Sequence, residues 1–552
     1  MAPKRKSNSK VAKPAPKKSK SDTSLWTLDH IKQVSQDVIE KSSYNDIVKL
    51  IDQYSYIKSA LIQTEDSSVE SIGRQLTINM YQIFQHLFQA GLLRPSKKFD
   101  DKKMILVKWL VDKYDRFKKI MYQFLSTSLS FKSSLQLDIL DVSLNVLRLE
   151  NQYLKSSKDD LYFPTSTYKA IVKSLVCSEV GTVLSDNTID DFIMLEFQEK
   201  LHKYYDLQFY FFQCLNELVE QDEIPDQNRL FSIFYTLVKI PLAFEENPKE
   251  LRAIKTFISK PPTTIFKPSH FKKAFQTLVI SILSFKLTSS QYKCILLILN
   301  KRILPYLAQP SRLMDFLTDS YDTSDLIIQI LALNSLYELM KQYNLEYPDF
   351  YTKLYSLLTP ELLFNRYRSR FFRLSDLFLS STHLSSNLVA SFIKKLARLS
   401  ITGPAPGVVI IIPFIYNLFK RHPSCMIMIQ NPSQDPDTYE DPYDNNELDP
   451  LKTNAINSSL WELEALMNHY HPNISTLAKI FTEPFRKPNY NLEDFLDWSF
   501  KSLIESEINR KYRSMAALEF DSFDQLFDHV TGTSEGSEPE SKTTVYLEGW
   551  TI

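Results

Sequence analysis

Asp376, Ser380, Ser381 and His383 lie in one short stretch and have the residue types of a hydrolytic triad. A serine nucleophile needs a histidine base, a carboxylate that orients it and an oxyanion hole, all converging in space. Closeness in sequence supplies neither the convergence nor the hole. The same residues read as a polar helix end, with Ser385 or Ser386 capping the next helix. A hydrolase here would require Ser380→Ala or His383→Ala to abolish function while fold and partner binding survive. His422 with Cys425, and His469 with His471, are metal-ligand types, but a structural zinc site takes four ligands and no second pair lies nearby. The chain has no GxxxxGK(S/T) and no GxGxxG. No catalytic, metal or cofactor-binding residue is assigned, and the reading is of a non-enzyme.

The cations form a second set. Arg366, Arg370 and Arg373 line one helical face, and Lys394, Lys395 and Arg398 another. Such rows suit contact with phosphate or with an acidic partner. They equally suit a solvated face or the chain's own acids. A third group, Lys4, Arg5, Lys6 and then Lys17, Lys18, Lys20, sits among Pro, Ser and Ala with no acid within residues 1–20. The two clusters are ten residues apart, the arrangement of a bipartite nuclear import signal read by an import receptor. The alternative is a generic basic tail touching RNA. That arm is expected to be disordered.

These residues must be positioned by helices. Glycine numbers 8 in 552 residues, where the average is about 7%. All-β folds and phosphate-cradling α/β folds depend on glycine turns, so both are disfavoured. Lys+Arg and Asp+Glu are 65 each, so any nucleic-acid surface is a local patch. Four scattered cysteines (177, 214, 294, 425) form neither a disulfide framework nor a zinc site, and imply a reducing compartment. The basic first twenty residues are no secretory signal. The longest apolar run, Val408 to Phe419, is 12 residues and falls short of the roughly 20 that cross a bilayer.

Helical patterns succeed one another from about residue 24. Ile72, Leu76, Met80, Ile83/Phe84 and Leu87/Phe88 form a stripe that Gly91 stops. Further helices are expected at 104–125, 135–149, from Pro164 onward, and through 190–220, 228–240, 270–286 and 291–307. Prolines 261, 262 and 268 mark a hinge or inter-unit joint. The succession implies an all-α, HEAT/armadillo-like helical solenoid with a disordered basic N-terminal arm, although no strict repeat is visible. Leu326, Ile330, Leu333, Tyr337 and Met340 make another stripe, ended by Asn344 and Pro348. Tyr367, Phe371, Leu374 and Phe378 make the next.

The stretch 387–425 is the centre of the second half. Val389, Phe392/Ile393, Leu396 and Leu399 give an amphipathic helix, closed at Gly403 by a left-handed position and Pro404. Val408 to Phe419 is apolar all round except Asn417, so it must be buried on every side. Residues 431–450 carry seven acids and no cation, which reads as a solvated acidic loop. Ser459 and Glu462 have the spacing of a capping box for a helix through Trp461, Leu463, Leu466 and Tyr470. The tail after about 530 is polar and expected to be mobile, with VYLEGWTI as an apolar anchor.

Several blocks in this half resemble a known family. They are DFLTDSYDTSDL (315–326), YNLEYPDFYTKLYSLLTPELL (343–363), RYRSRFFRLSDLFLSSTHL (366–384), KKLARL (394–399), IYNLFKRHPSC (415–425) and SSLWELEALMNHYHP (458–472). Their order resembles the CCAAT-binding-factor (CBF) domain of the nucleolar complex proteins, and specifically the nucleolar complex protein 4 branch. The likeness covers about 305–485. It implies a nucleolar helical scaffold in ribosome biogenesis, paired as a heterodimer with nucleolar protein 14. The setting it implies is the small-subunit processome, near pre-rRNA or U3 RNA, for 18S rRNA maturation and for 40S assembly and export. No helix-turn-helix or zinc module supports DNA binding.

The expected organisation is therefore a basic arm with the import signal (1–23), an N-terminal helical repeat region (24–304), the CBF-type helical domain (305–485, with the acidic loop 431–450) and a C-terminal helical segment and tail (486–552). The partner is expected on 311–485, whose apolar helices would otherwise leave large exposed patches. No membrane contact is expected. The competing class is a karyopherin-like nuclear transport adaptor, also a helical solenoid, for which the chain's own import signal would be superfluous.

Overall fold

The computed structural model describes residues 25–63, 65–94, 100–129, 131–154, 161–343, 349–431 and 439–511. The import-signal residues, Asn344 to Pro348, part of the acidic loop and the C-terminal tail lie outside the described residues.

The first half is a succession of antiparallel helices: α1 (Leu28–Lys41), α2 (Asp46–Gln63), α3 (Ser67–Gln89), α4 (Asp101–Ser126), α5 (Ser134–Tyr153) and α6 (Thr165–Val176). Each turns an apolar stripe inward. In α3 that stripe is Leu76, Met80, Ile83, Phe84, Leu87 and Phe88, all buried against α1, α2 and α5. Gly91 takes φ +70° just beyond α3, where a side chain would be strained. A two-residue hairpin then intervenes, β1 (Thr182–Val183) against β2 (Ile189–Asp190), which no sequence pattern announced. The array resumes with α7 (Phe192–Lys203), α8 (Tyr205–Glu220), α9 (Gln227–Lys239) and the single turn α10 (Pro248–Leu251).

The expected hinge around Pro261 is pinned to α8. Asp206, buried at the start of α8, accepts from the amides of Phe257 and Ile258 at 2.7 and 2.9 Å. Tyr205 donates its hydroxyl to the Ile265 carbonyl at 2.8 Å. Pro268 opens α11 (Pro268–Leu283), and α12 (Ser289–Ile298) follows behind a Thr288/Gln291 capping box.

Two cores meet at α14 (Leu326–Tyr343), which follows α13 (Met314–Tyr321). Ile328, Leu331, Ala332 and Leu339 belong to the N-terminal core, while Ile330, Leu333 and Leu336 belong to the C-terminal one. One helix thus forms a wall of both. The second core continues through α15 (Phe350–Ser356), α16 (Pro360–Phe364), α17 (Arg368–Phe378), α18 (Ser386–Thr402) and α19 (Ala405–Arg421). It closes with short elements: α20 (Trp461–Ala465), α21 (Pro472–Ala478), α22 (Glu493–Leu496) and α23 (Phe500–Ile508). Leu492, Leu496 and Leu503 belong to the same core, so α22 and α23 pack on it.

Helix α19 sits at the centre of this core. Every residue from Ala405 to Phe419 is buried. The amide in this buried run is paired: Asn417 donates to the Tyr490 carbonyl and accepts from the Tyr490 amide, both at 2.8 Å. Tyr416 and Lys420 bond the carbonyls of Lys487 and Phe485. The C-terminal half of α19 therefore holds the segment 485–490 through its main chain.

The turn into α19 corrects one expectation. Gly403 is extended, φ −74° and ψ 157°, not left-handed. Its reason is space: a Cβ would lie 2.7 Å from Leu363 Cδ1 and 2.8 Å from the Leu399 carbonyl oxygen. Gly403→Ala is expected to cost about 1–3 kcal/mol, the range for overpacking, read as a lowered urea midpoint. An unchanged midpoint would show that α16 yields freely.

Candidate functional site

The six candidate cations do not form one surface. Arg366 is exposed in the turn before α17, not within the helix. Arg370 is half-buried, and burial lowers its pKa. Arg373 is held in a fork by Glu493, Nε to Oε1 at 2.7 Å and Nη2 to Oε2 at 2.6 Å. On α18 the expected polar face is covered. Lys394 and Glu462 are both 0% exposed and lie 2.7 Å apart. Lys394 also donates to the Ser459 carbonyl at 2.6 Å. Arg398 contacts Glu462 at 2.7 Å and Asp441 at 3.0 Å. Lys395 lies 4.0 Å from the centroid of the Tyr355 ring, and burial lowers its pKa.

These contacts also revise the capping box. Glu462 is drawn to Lys394 and Arg398, and Leu460 occupies the N-cap of α20 without a side-chain bond. The helix ends at Ala465, and Tyr470 is exposed. His471, whose Nδ1 accepts the Asn473 amide, caps α21 instead.

The described part of the acidic loop, 439–450, is a strap across α18 rather than a free loop. Asp441 accepts from Ser458 Oγ at 2.5 Å and faces Lys394 and Arg398. Tyr443 is buried, its hydroxyl 3.0 Å from that of Tyr355. Ser391 donates to the Pro450 carbonyl. Burial alone would raise the Asp441 pKa, but the Ser458 hydrogen bond and the Lys394 charge outweigh it and hold the group below the usual carboxylate value. A depressed folded pKa stabilises the fold above the unfolded value, about 3.9. That contribution fades as pH falls through the lower folded value. The urea-midpoint difference between the parent and Asp441→Asn is thus expected to be constant above about pH 5 and to vanish in more acid solution. A difference that grows on acidification would contradict the assignment.

The triad types do not converge: His383 is exposed, and its main-chain amide donates to Ser381 Oγ at 3.4 Å. Asp376 forms a fork with Arg421 at 2.7 and 3.0 Å. Ser380 bonds the Leu377 carbonyl, and Ser385 caps α18 through the Leu388 amide. His422 Nε2 lies 3.0 Å from the Leu379 carbonyl oxygen, and Cys425, its pKa pushed up to about 11 by burial, contacts the Ser386 carbonyl. Among the described residues no group of three or more His, Cys, Asp or Glu could hold a metal ion.

What remains open to a partner is apolar. A groove of about 630 Å³ lies between α14, α15, α17, α18 and the strap. Tyr337, Met340, Phe350, Leu377, Leu388 and Leu451 line it, with Asp349 and Asp449 at its edge. Leu377 and Leu451 are about half exposed, and Phe364, Leu448 and Trp461 add exposed apolar surface on the same domain. Sequence periodicity could not find this groove, because it arises where the strap crosses two helix ends.

Comparison with known proteins decides the family. Residues 329–478 match the CBF/Mak21 family, and residues 18–224 match a family described as nucleolar complex protein 4-like, TPR repeats. Nucleolar complex protein 4 of Saccharomyces cerevisiae is 42% identical over 541 residues, covering 92% of this chain and 96% of that protein. The chain belongs to the nucleolar complex protein 4 family. The human nucleolar complex protein 4 homolog is 36% identical over 396 residues, 69% of this chain and 73% of its own length. Homolog B of Xenopus laevis is 37% identical over 415 residues, 74% and 76% respectively. As a member of the nucleolar complex protein 4 family the protein is nucleolar, with a role in ribosome biogenesis. Its N-terminal half is a helical solenoid of the family's repeat class. Among the described residues no helix is long and apolar enough to cross a membrane.

Proposed function

We propose that this protein is a non-enzymatic scaffold of the small-subunit processome, acting as a heterodimer with nucleolar protein 14 in 18S rRNA maturation and in 40S assembly and export. The observation that carries the reading is family membership across 92% of the chain, with the repeat and CBF regions in one polypeptide. The geometry supports it: Asp376, Arg373, Lys394 and Arg398 are engaged in internal ion pairs, and the domain 305–485 presents an apolar groove. The heterodimer partner docks on this domain, in and around the groove lined by Leu377 and Leu451. Arg366 and Arg370 are candidate phosphate or partner contacts. Arg373, Lys394 and Arg398 act from within, by holding α22 and the strap in place, and Lys395 packs on Tyr355. The basic arm, through Lys4, Arg5, Lys6, Lys17, Lys18 and Lys20, binds the import receptor.

The test is reconstitution of the purified chain with nucleolar protein 14. A 1:1 complex is expected, weakened by about tenfold or more in the pair Leu377→Glu with Leu451→Glu, because charge is forced into a dry contact. Unchanged affinity would move the partner to another face.

A further inference from the structure

One long stretch of the first half lacks acidic residues altogether. Leu251 to Met314 holds eleven Lys or Arg and no Asp or Glu, in a chain where acids number 65 in 552. The formal net charge of the whole chain is zero, so this stretch concentrates positive charge that the rest of the chain balances. Two of the eleven are spent internally: Lys272 reaches Glu246 at 2.6 Å and Lys293 reaches Asp325 at 2.8 Å. Among the described residues no carboxylate stands within ion-pair distance of the other nine, and eight of those nine are exposed.

α11 sets the line of this charge. Phe271, Phe275, Leu278, Val279 and Ile282 turn one face of it into the core. The opposite face, with His270, Lys273, Thr277 and Ser284, is exposed and carries no acid. Lys267 precedes the first turn and Lys286 follows the last, and the helix between them is 16 residues, about 24 Å, long. The loop that leads into it through Lys260 and Lys267 is held to α8, because Asp206 binds the Phe257 and Ile258 amides and Tyr205 the Ile265 carbonyl. Cations fixed in advance lose little freedom on binding. Their surroundings fit phosphate better than protein. Within 251–314 Leu297, at 38%, is the one large apolar side chain that is exposed. A protein interface is built on aromatic and apolar anchors, which this face lacks. Spaced lysines without such anchors suit a phosphate backbone.

We propose that the outward face of α11, from Lys267 through Lys273 to Lys286, binds the phosphate backbone of RNA without reading its sequence. RNA is the polyanion because the protein's role lies in ribosome biogenesis. A scaffold held in place by its protein partner alone needs no such contact. Binding releases counter-ions condensed on the strand, so affinity falls with salt by an amount set by the number of phosphates met.

The test is titration of the purified full chain with fluorescent single-stranded RNA of mixed sequence over a series of salt concentrations. Lys267→Gln, Lys273→Gln and Lys286→Gln together are expected to weaken binding about tenfold or more. They should also lower the slope of log K against log salt by about 2, since each phosphate contact on a single strand contributes roughly 0.7. A control chain carrying Lys32→Gln, Lys102→Gln and Lys119→Gln, all at exposed positions, has the same net charge and should bind as the parent does. Equal losses in the two variants would overturn the proposal, because net charge alone would then account for binding. Unchanged RNA affinity in the α11 variant would also overturn it, and loss of the complex with nucleolar protein 14 in that variant would assign the face to an acidic protein segment. A second readout is photo-crosslinking of thiouridine-substituted RNA to the parent chain, expected in peptides from 260–286. Crosslinks confined to the basic arm would contradict the assignment.

Discussion

Replacing Glu462 by alanine destabilises the C-terminal core by about 3–5 kcal/mol, the cost of stranding a buried charge. Lys394 is fully buried, with its Nζ 2.7 Å from Glu462 and 3.4 Å from Asp441. Removing the carboxylate leaves that cation and Arg398 with only the more distant, partly exposed Asp441 as counter-ion, in a place where water cannot replace the lost charge. Neither Glu462 oxygen has a well-aligned hydrogen bond, so the contact is chiefly electrostatic and alanine removes it without a local substitute. The double change Lys394→Met with Glu462→Leu should recover most of the loss, because two apolar chains of similar volume need no counter-charge. Hydrogen exchange of α18 and α19 reads both variants. A loss under about 1 kcal/mol for Glu462→Ala would mean that the pair is solvated in solution.

The second large effect is expected in the other core. Arg229, at the start of α9, is buried and donates to the carbonyls of Val176, Val180 and Leu175 at 3.0, 2.7 and 3.2 Å. It also pairs with Asp191 at 2.7 Å. Asp191 in turn accepts from the amides of Ile193 and Met194 and caps α7. One guanidinium thus closes the C-terminal end of α6, whose last carbonyls have no helical partner, and joins it to the hairpin, α7 and α9. Arg229→Ala should cost about 3–5 kcal/mol, since it orphans buried carbonyls and a carboxylate that is itself 1% exposed. Arg229→Lys should rescue only part, because an ammonium cannot reproduce the planar fork. Thermal unfolding of the purified chain distinguishes the two. Full rescue by lysine would show that charge alone, not the fork, holds the junction.

Both clamps explain what the sequence could and could not tell. The stripes of α3, α14, α17 and α19 were legible because burial of a helix face repeats every three to four residues, and α19 was legible as a core from its lack of a polar face. Lys394 read as surface for the same reason, since it lies on the polar side of α18. It is buried because the strap and α20, some fifty to seventy residues later, fold over that side. Periodicity carries no information about such long-range covering. Glu462 illustrates the same limit in reverse: its spacing from Ser459 fits a capping box, but a buried cation attracts it more strongly than an amide dipole does. The β1–β2 hairpin escaped notice because its two-residue strands are too short for alternation to register. The candidate triad dissolved on local grounds, with Asp376 taken by Arg421 and the serines used on helix-end main-chain groups.

The family resemblance read from 305–485 reaches further than periodicity, because it draws on the order of whole blocks rather than on faces. It places the protein in ribosome biogenesis, while the surface through which it works is left to geometry. In the proposed function that surface is the apolar groove beside the strap, and its occupancy in the cell follows from what the protein is bound to there.

Affinity purification of the tagged full chain, with blotting for rRNA precursors and U3 RNA, tests the central claim most directly. The scaffold account predicts one stoichiometric partner, nucleolar protein 14, together with small-subunit precursors and U3 RNA. Recovery of a Ran-type GTPase with mixed cargo and no pre-rRNA would contradict it and make the protein a transport adaptor.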